Sequence, residues 1–190
     1  MEVRLIIISG RAGSGKTSVA NEMSEQLKRL DIRHAHIDGD NLDAMYPEEP
    51  AADMLLPNIA AMWANYYHLR GVDRLIISGT AVAMEMDRIS RALEWACSEP
   101  NLAVMKNKIE GMPAASVNGR AFILQVSDGV AEKRLKRREV GSELEKTLAS
   151  SRKMSAVLEE EVGGWARRVL AENREVREIA LDILRTSGWI

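Results

Sequence analysis

Residues 10–17 read Gly10-Arg11-Ala12-Gly13-Ser14-Gly15-Lys16-Thr17, which matches G-x-x-x-x-G-K-[ST] at every fixed position. The flanks decide what the match means. The apolar run over 3–8 predicts a buried strand, and 18–30 predicts an amphipathic helix with Val19, Met23, Leu27 and Leu30 on one stripe. Strand, glycine loop and helix in that order make a phosphate cradle. Glycines let the chain curl until several N–H groups face one anion, and the helix start adds a favourable dipole. In such a cradle Lys16 reaches the β- and γ-phosphates and the Thr17 hydroxyl ligates Mg²⁺. Gly10, Arg11, Ala12, Gly13, Ser14, Gly15, Lys16 and Thr17, with Ser18 after them, are therefore the expected nucleotide contacts. A lysine and a threonine directly after the last glycine have no packing role in a plain connecting turn.

Further along the chain, strand and helix patterns alternate. Strands are predicted over 33–37, 74–77, 121–126 and 168–171, and helices over 54–70, 86–97, 130–161 and 175–186. The stretch 100–119, with Gly111-Met112-Pro113 and Asn118-Gly119, reads as a connection or small β-excursion before the strand over 121–126. Such alternation implies βαβ units and an α/β fold, a doubly wound, mostly parallel five-stranded sheet with helices on both faces. Crossover handedness gathers the strand C-termini on one edge, where ligands bind. Gly10, Asp38, Asp40, Ser78 and Asp128 all fall at that edge.

The chain has 190 residues, a formal net charge of −2, 46% hydrophobic and 28% charged residues. This suits one domain over 1–190, with no overall basic surface to attract nucleic acid. Cys97 is the only cysteine, which precludes an intrachain disulfide and fits a reducing, cytoplasmic setting. No apolar run approaches the roughly 20 residues of a membrane span. The three histidines lack metal-ligand spacing.

Four groups of residues beyond the loop are candidates for chemistry. Asp38 and Asp40 alternate on an extended chain, so both carboxylates can face one pocket. Taken alone, Asp38-Gly39-Asp40-Asn41 is equally a solvated turn. After the second strand of a phosphate-loop protein, one carboxylate can serve Mg²⁺ and the other can take the proton of an attacking hydroxyl. We assign Asp38 to metal and Asp40 to the base, an order the spacing does not enforce. The cationic stretch around Lys133, Arg134, Lys136, Arg137 and Arg138, with Arg152 beyond it, pairs largely with glutamates at helical spacing. Arg134, Arg138 and Arg152 could instead close over phosphates from a lid at about 134–155, with Gly141-Ser142 in its middle. Trp63, Tyr66, Tyr67 and Arg70 lie on the helix after the aspartates. Most read as packing, with Trp63, Tyr67 and Arg70 the candidates for touching an acceptor. The strand over 74–77 ends in Ser78-Gly79-Thr80 with no carboxylate, unlike large mechanical ATPases.

Together these motifs resemble the small P-loop kinases of the nucleoside-monophosphate-kinase-like group, which includes shikimate, gluconate and adenylylsulfate kinases and chloramphenicol phosphotransferase. Asp38-Gly39-Asp40 is similar to the D-x-D of shikimate kinases and, with Asn41, to the D-G-D-N of adenylylsulfate kinases. Ser78-Gly79-Thr80 is similar to the group's substrate-contacting glycine turn, which implies Gly79 and Thr80 as acceptor contacts. Arg134-Leu135-Lys136-Arg137-Arg138 resembles the R-L-x-x-R that opens the lid. Ala171-Glu172-Asn173-Arg174 lies where the adenine loop runs, which implies Asn173 at the base. The resemblance implies ATP and Mg²⁺ as cofactors and a small-molecule acceptor. Leu42-Asp43 stands where adenylylsulfate kinases carry an arginine, and no G-G-G follows the third strand, so the likeness is to the group and to no single member. Two other classes fit the loop: a nucleotide-dependent regulatory NTPase, and a polynucleotide-end kinase, which the near-neutral charge disfavours.

Overall fold

The computed structural model describes residues 2–47, 53–98, 115–138 and 142–190. Five strands, β1 (Glu2–Ser9), β2 (Ala35–Asp38), β3 (Arg74–Ser78), β4 (Ser116–Gln125) and β5 (Arg167–Leu170), form one sheet in the order β2-β3-β1-β4-β5. All four neighbouring pairs are parallel. Helices α1 (Lys16–Arg29), α2 (Leu55–Ala64), α3 (Met86–Ser98), α4 (Asp128–Arg138), α5 (Ser142–Glu161) and α6 (Val176–Thr186) fill the connections. The stretch read as one charged helix over 130–161 is thus two helices. No described helix is long and apolar enough to cross a membrane.

The period of two along β1 separates the layers. Val3, Leu5 and Ile7 face a core completed by Ile59 and Trp63 of α2, Ile89 and Leu93 of α3, and Leu158 of α5. Ile6 and Ile8 face the opposite core, with Val19, Met23 and Leu27 of α1 and Ile179, Ile183 and Leu184 of α6. The helix after β1 therefore covers one face, while the helix after the neighbouring β3 covers the other. The chain diverges between those two strand ends, and a doubly wound sheet opens its ligand crevice there. Ile8 lies opposite Ser78 in the register, which sets the phosphate loop beside Gly79-Thr80.

Two readings of the sequence need correction. β4 begins at Ser116, so Asn118-Gly119 is strand and not turn, with Gly119 opposite Leu5. The first turn of α3 packs onto the strand there, and a Cβ on Gly119 would lie 2.1 Å from the movable Cε tip of Met86. Residues 99–114, the rest of the predicted connection, lie outside the described residues. The predicted helix over 54–70 ends in a π-helical stretch, Asn65–Leu69, with Tyr67 turned into the core.

Gly13 is also held by close packing. Its φ is +83°, and a Cβ would lie 2.9 Å from the carbonyl oxygen of Ala131 in α4. Neither obstacle is the movable tip of a side chain. We expect Gly13→Ala to cost about 2 kcal/mol and to lower Tm by roughly 4–8 °C in a thermal melt. An unchanged Tm would contradict the packing of α4 on the loop.

Candidate active site

The crevice at the ends of β1 and β3 holds a cavity of about 430 Å³ lined by Ala12, Gly13, Gly15, Lys16, Thr17 and Ser18 of the phosphate loop, by Asp40 and Thr80, and by Arg134 and Leu135 of α4. Lys16 is buried at its wall. Gly13 and Gly15 have φ of +83° and +100°, the left-handed conformations that bend the loop and aim its N–H groups inward.

The two aspartates part company here. Oδ2 of Asp38 accepts a hydrogen bond from Thr17 Oγ1 at 3.2 Å, and its Oδ1 accepts from the Asp40 N–H at 3.2 Å. The latter contact starts the 3₁₀ turn Gly39–Asn41. Asp40 faces the other way. Its Oδ1 accepts from the Thr80 N–H at 2.6 Å and its Oδ2 from Thr80 Oγ1 at 3.0 Å. Lys16 Nζ lies 3.7 Å from the same Oδ2. So one aspartate meets the loop threonine and the other meets the loop lysine.

Ser9 explains why Thr80 is in place. Buried at the end of β1, its hydroxyl lies 3.0 Å from the carbonyl oxygens of both Gly79 and Thr80 and accepts from the Ala83 N–H at 3.2 Å. The residue before the phosphate loop thus holds the turn that holds Asp40. Sequence reasoning passed over Ser9. A lone serine closing an apolar run of isoleucines was the available signal.

Arg11, expected among the nucleotide contacts, turns away from the cavity. It is 5% exposed, and its Nε donates to Ser151 Oγ of α5 at 2.9 Å, while Nη1 donates to Asp128 at the start of α4. Ser151 Oγ in turn donates to the Ala12 carbonyl at 2.9 Å. The guanidinium beside Asp128 holds that carboxyl below its ordinary range. The pair's contribution is therefore present above the ordinary carboxylate range and fades as pH falls through the depressed value. Arg11 braces the loop against two helices through a forked geometry that an ammonium cannot copy. We expect Arg11→Lys to keep the attraction to Asp128 but lose the Ser151 bond. That costs about 1 kcal/mol, or roughly 2–4 °C in Tm. Equal melting temperatures for the two proteins would remove the brace.

Arg134 reaches back over the loop. Nη1 donates to the carbonyls of Gly13 at 3.1 Å and Ser14 at 3.0 Å, and Nη2 donates to the Ala171 carbonyl at 3.1 Å. It ties the cradle to the turn before α6. Asn173 in that turn is exposed, with φ +56°. Arg152 is exposed and bonds Glu132 of α4 at 3.4 Å. The side chain of Arg138 lies outside the described residues.

The candidates on α2 and on the π-helical stretch that follows it are not brought to the crevice. Trp63 is buried and donates from Nε1 to Cys97 Sγ at 3.2 Å. Tyr67 packs beside it with ring centroids 6.0 Å apart. Both fill the core under β1 and β3. Arg70 is exposed just before β3, at the sheet edge opposite the phosphate loop, where its carbonyl accepts from Arg33. The helix runs away from the site, so its aromatic face meets hydrocarbon. Cys97 is the small apolar residue expected, its thiol pushed up to about 11 by burial. Among the described residues no cluster of three or more His, Cys, Asp or Glu is poised to hold a metal.

Comparison with solved structures identifies the architecture. Shikimate kinase from Acinetobacter baumannii in complex with shikimate aligns over 98% of this chain and 93% of its own, with a TM-score of 0.54 at 15% identity. A gluconokinase from Sinorhizobium meliloti 1021 aligns over 97% and 91%, with a TM-score of 0.56 at 17% identity. The APS kinase CysC of Mycobacterium tuberculosis, in complex with AMPPNP and APS, aligns over 97% and 96%, with a TM-score of 0.54 at 16% identity. This is the fold of the small P-loop kinases. In sequence, the family model for adenylylsulphate kinase matches residues 2–49, the span from β1 through the P-loop, α1 and β2 to the paired aspartates. No curated protein sequence matches the chain. The P-loop kinase fold and its nucleotide-binding loop are therefore present, with the sequence likeness confined to the phosphate-binding end.

Proposed function

We propose that the chain is an ATP-dependent phosphotransferase that moves the γ-phosphate of ATP onto a hydroxyl or phosphate of a small molecule. The placement of Asp40 carries this reading. A carboxylate between the P-loop lysine and the turn after β3 sits where an acceptor must meet the triphosphate. A hydrolase switch has no need of one there. Asp40 takes the proton of the acceptor as its oxygen attacks Pγ. The bond from Pγ to the β,γ-bridging oxygen breaks, and ADP leaves with its electron pair. Lys16 offsets the charge gathering on the phosphoryl oxygens, and the loop N–H groups hold the β-phosphate.

Thr17 and Asp38 suit Mg²⁺, since their hydroxyl and carboxylate are hard oxygen donors brought within 3.2 Å of one another. When bound there, the ion would neutralise charge between the β- and γ-phosphates. Arg134, lining the cavity, is the cation we place beside the phosphates. Arg152 would have to leave Glu132 to join it. Asn173, on the turn that Arg134 grips, is placed beside the base.

The test is ADP release from Mg·ATP, screened against a library of metabolites, sugars and nucleotides. Acceleration by one acceptor class, with stoichiometric phosphorylated product, is expected. Steady hydrolysis unmoved by every compound would replace the kinase with a nucleotide-dependent switch.

A further inference from the structure

Asp40 is held by one residue at two points. The Thr80 N–H donates to Oδ1 at 2.6 Å, and the Thr80 hydroxyl donates to Oδ2 at 3.0 Å. Close packing brings the pair together. Gly39 and Gly79 both lie against the buried Val82, where an added Cβ would stand 2.9 Å and 2.7 Å from its Cγ1. Ser9 then fixes the Thr80 carbonyl from β1. The chain after β3 reads Ser78-Gly79-Thr80 and not three glycines, so this hydroxyl is the chain's own.

A threonine hydroxyl carries one proton and two lone pairs. Here the proton points at Asp40, which leaves the lone pairs to accept. Thr80 lines the 430 Å³ cavity together with Asp40, Lys16 and Thr17. It also lines a second cavity, of about 260 Å³, whose other wall is formed by Thr147, Ser150, Ser151 and Met154 of α5. Asp40 is not among the described residues lining that second cavity. Lys16 approaches the carboxylate from the loop side, 3.7 Å from Oδ2. With the loop side given to the triphosphate, the attacking oxygen comes in line from beyond Pγ. From the second cavity, such an oxygen meets the Thr80 hydroxyl before it meets Asp40.

We propose that Thr80 is a further catalytic residue, the group through which the proton of the attacking oxygen reaches Asp40. The proposal rests on the kinase reading above and adds the route of the proton. As the oxygen attacks Pγ, its proton passes to Thr80 Oγ1, and the proton of Oγ1 passes to Asp40 Oδ2. The bond from Pγ to the β,γ-bridging oxygen breaks, and ADP keeps its electron pair. Threonine ends as the hydroxyl it was, and aspartate ends as the carboxylic acid. The second hydrogen bond has a separate task. The Thr80 N–H holds Oδ1 and keeps the carboxylate in plane with the hydroxyl, whatever the side chain does. Position and proton transfer are thus carried by different atoms of one residue, and a substitution can separate them.

The relay serves any nucleophile that carries a proton, water included, so its test does not wait for the acceptor to be known. Single-turnover cleavage of radiolabelled Mg·ATP is followed in the full-length protein, with water as the nucleophile and again with an acceptor returned by the metabolite screen. Thr80→Val keeps the N–H and nearly the shape, but has no hydroxyl. It should slow cleavage about a hundredfold, the lower end of what positioned proton transfer contributes. The KM for ATP should move less than about twofold, since the loop contacts to phosphate are untouched. Thr80→Ser restores the hydroxyl and should recover the rate to within about threefold of the parent. Both variants should melt within about 4 °C of the parent, the size of one hydrogen bond. In mixtures of H2O and D2O, the parent rate plotted against deuterium fraction should curve, as two moving protons require. A straight line there means one proton, taken by Asp40 directly, and overturns the relay. Equal rates for Thr80→Val and the parent overturn it too, and so do equally slow Thr80→Val and Thr80→Ser. A screen that returns no acceptor, beside water cleavage that still depends on the hydroxyl, would overturn the kinase reading and leave the relay standing.

Discussion

Lys16→Ala should reduce phosphoryl transfer by about three orders of magnitude, the size seen when one preorganised stabiliser of a developing oxyanion is removed. The lysine is buried against the loop and lies 3.7 Å from Asp40. Its ammonium is thus shielded from water, where its field acts at low dielectric. Nucleotide affinity should fall less than turnover, because the loop N–H groups and Thr17 still grip the phosphates. The measurement is single-turnover transfer from radiolabelled ATP at saturating nucleotide, beside a thermal melt. A residual rate above about one tenth of the parent would remove the central claim about residues 10–17.

Asp40→Asn should cut kcat by roughly two to four orders of magnitude, the usual range for losing a general base. The amide keeps the shape of the carboxylate, its oxygen can accept from the Thr80 N–H and its NH2 can donate to Thr80 Oγ1, but it cannot take a proton. Binding of ATP, measured by titration calorimetry, should change no more than about threefold. Asp38→Asn provides the contrast, since Asp38 meets Thr17 rather than Lys16. Its loss should weaken the dependence of rate on Mg²⁺ concentration. If Asp38→Asn abolished turnover and Asp40→Asn shifted only the Mg²⁺ requirement, the two assignments would exchange. Equal losses of affinity and turnover in Asp40→Asn would remove its role as base.

Much of this arrangement was legible in the chain because the signals are local. The P-loop pattern, the period of two in β1 and the alternation of strand and helix need no long-range information. They place the parallel sheet and the edge where Gly10, Asp38 and Ser78 gather. The misreadings come from residues whose partners are distant in sequence. Gly119 reads as a turn until Met86, on another element, is seen packing against it. Trp63 and Tyr67, candidates for acceptor contact on a helix that otherwise reads as packing, are sent into the core by the direction of α2 and the π-helical stretch after it. Arg11 reads as a phosphate contact because it sits inside the motif, and only Ser151 and Asp128, more than a hundred residues away, show that it looks outward. Ser9 carries no sequence signal beyond its place at a strand end, and Thr80, expected as an acceptor contact, gives no sign in sequence of the bonds it makes to Asp40. The bonds of Ser9 to the Gly79-Thr80 turn exist only once β1 lies beside β3, and those of Thr80 to Asp40 only once β2 lies on the other side of β3.

The anatomy of α5 has a consequence for how this protein can change. Along one helix, tolerance to substitution should run in a gradient. At Leu158 a polar residue would meet a closed core and the chain would fail to accumulate. At Ser151 a change would loosen the brace beneath the nucleotide. Within the next turn and a half, at Ser150, Thr147 and Lys146, replacements face open space beside Thr80 and leave the donor machinery on the sheet untouched. A library randomised at Thr147 and Ser150 alone would then vary the wall facing Thr80 while the core residues and the brace on the loop stay as they are.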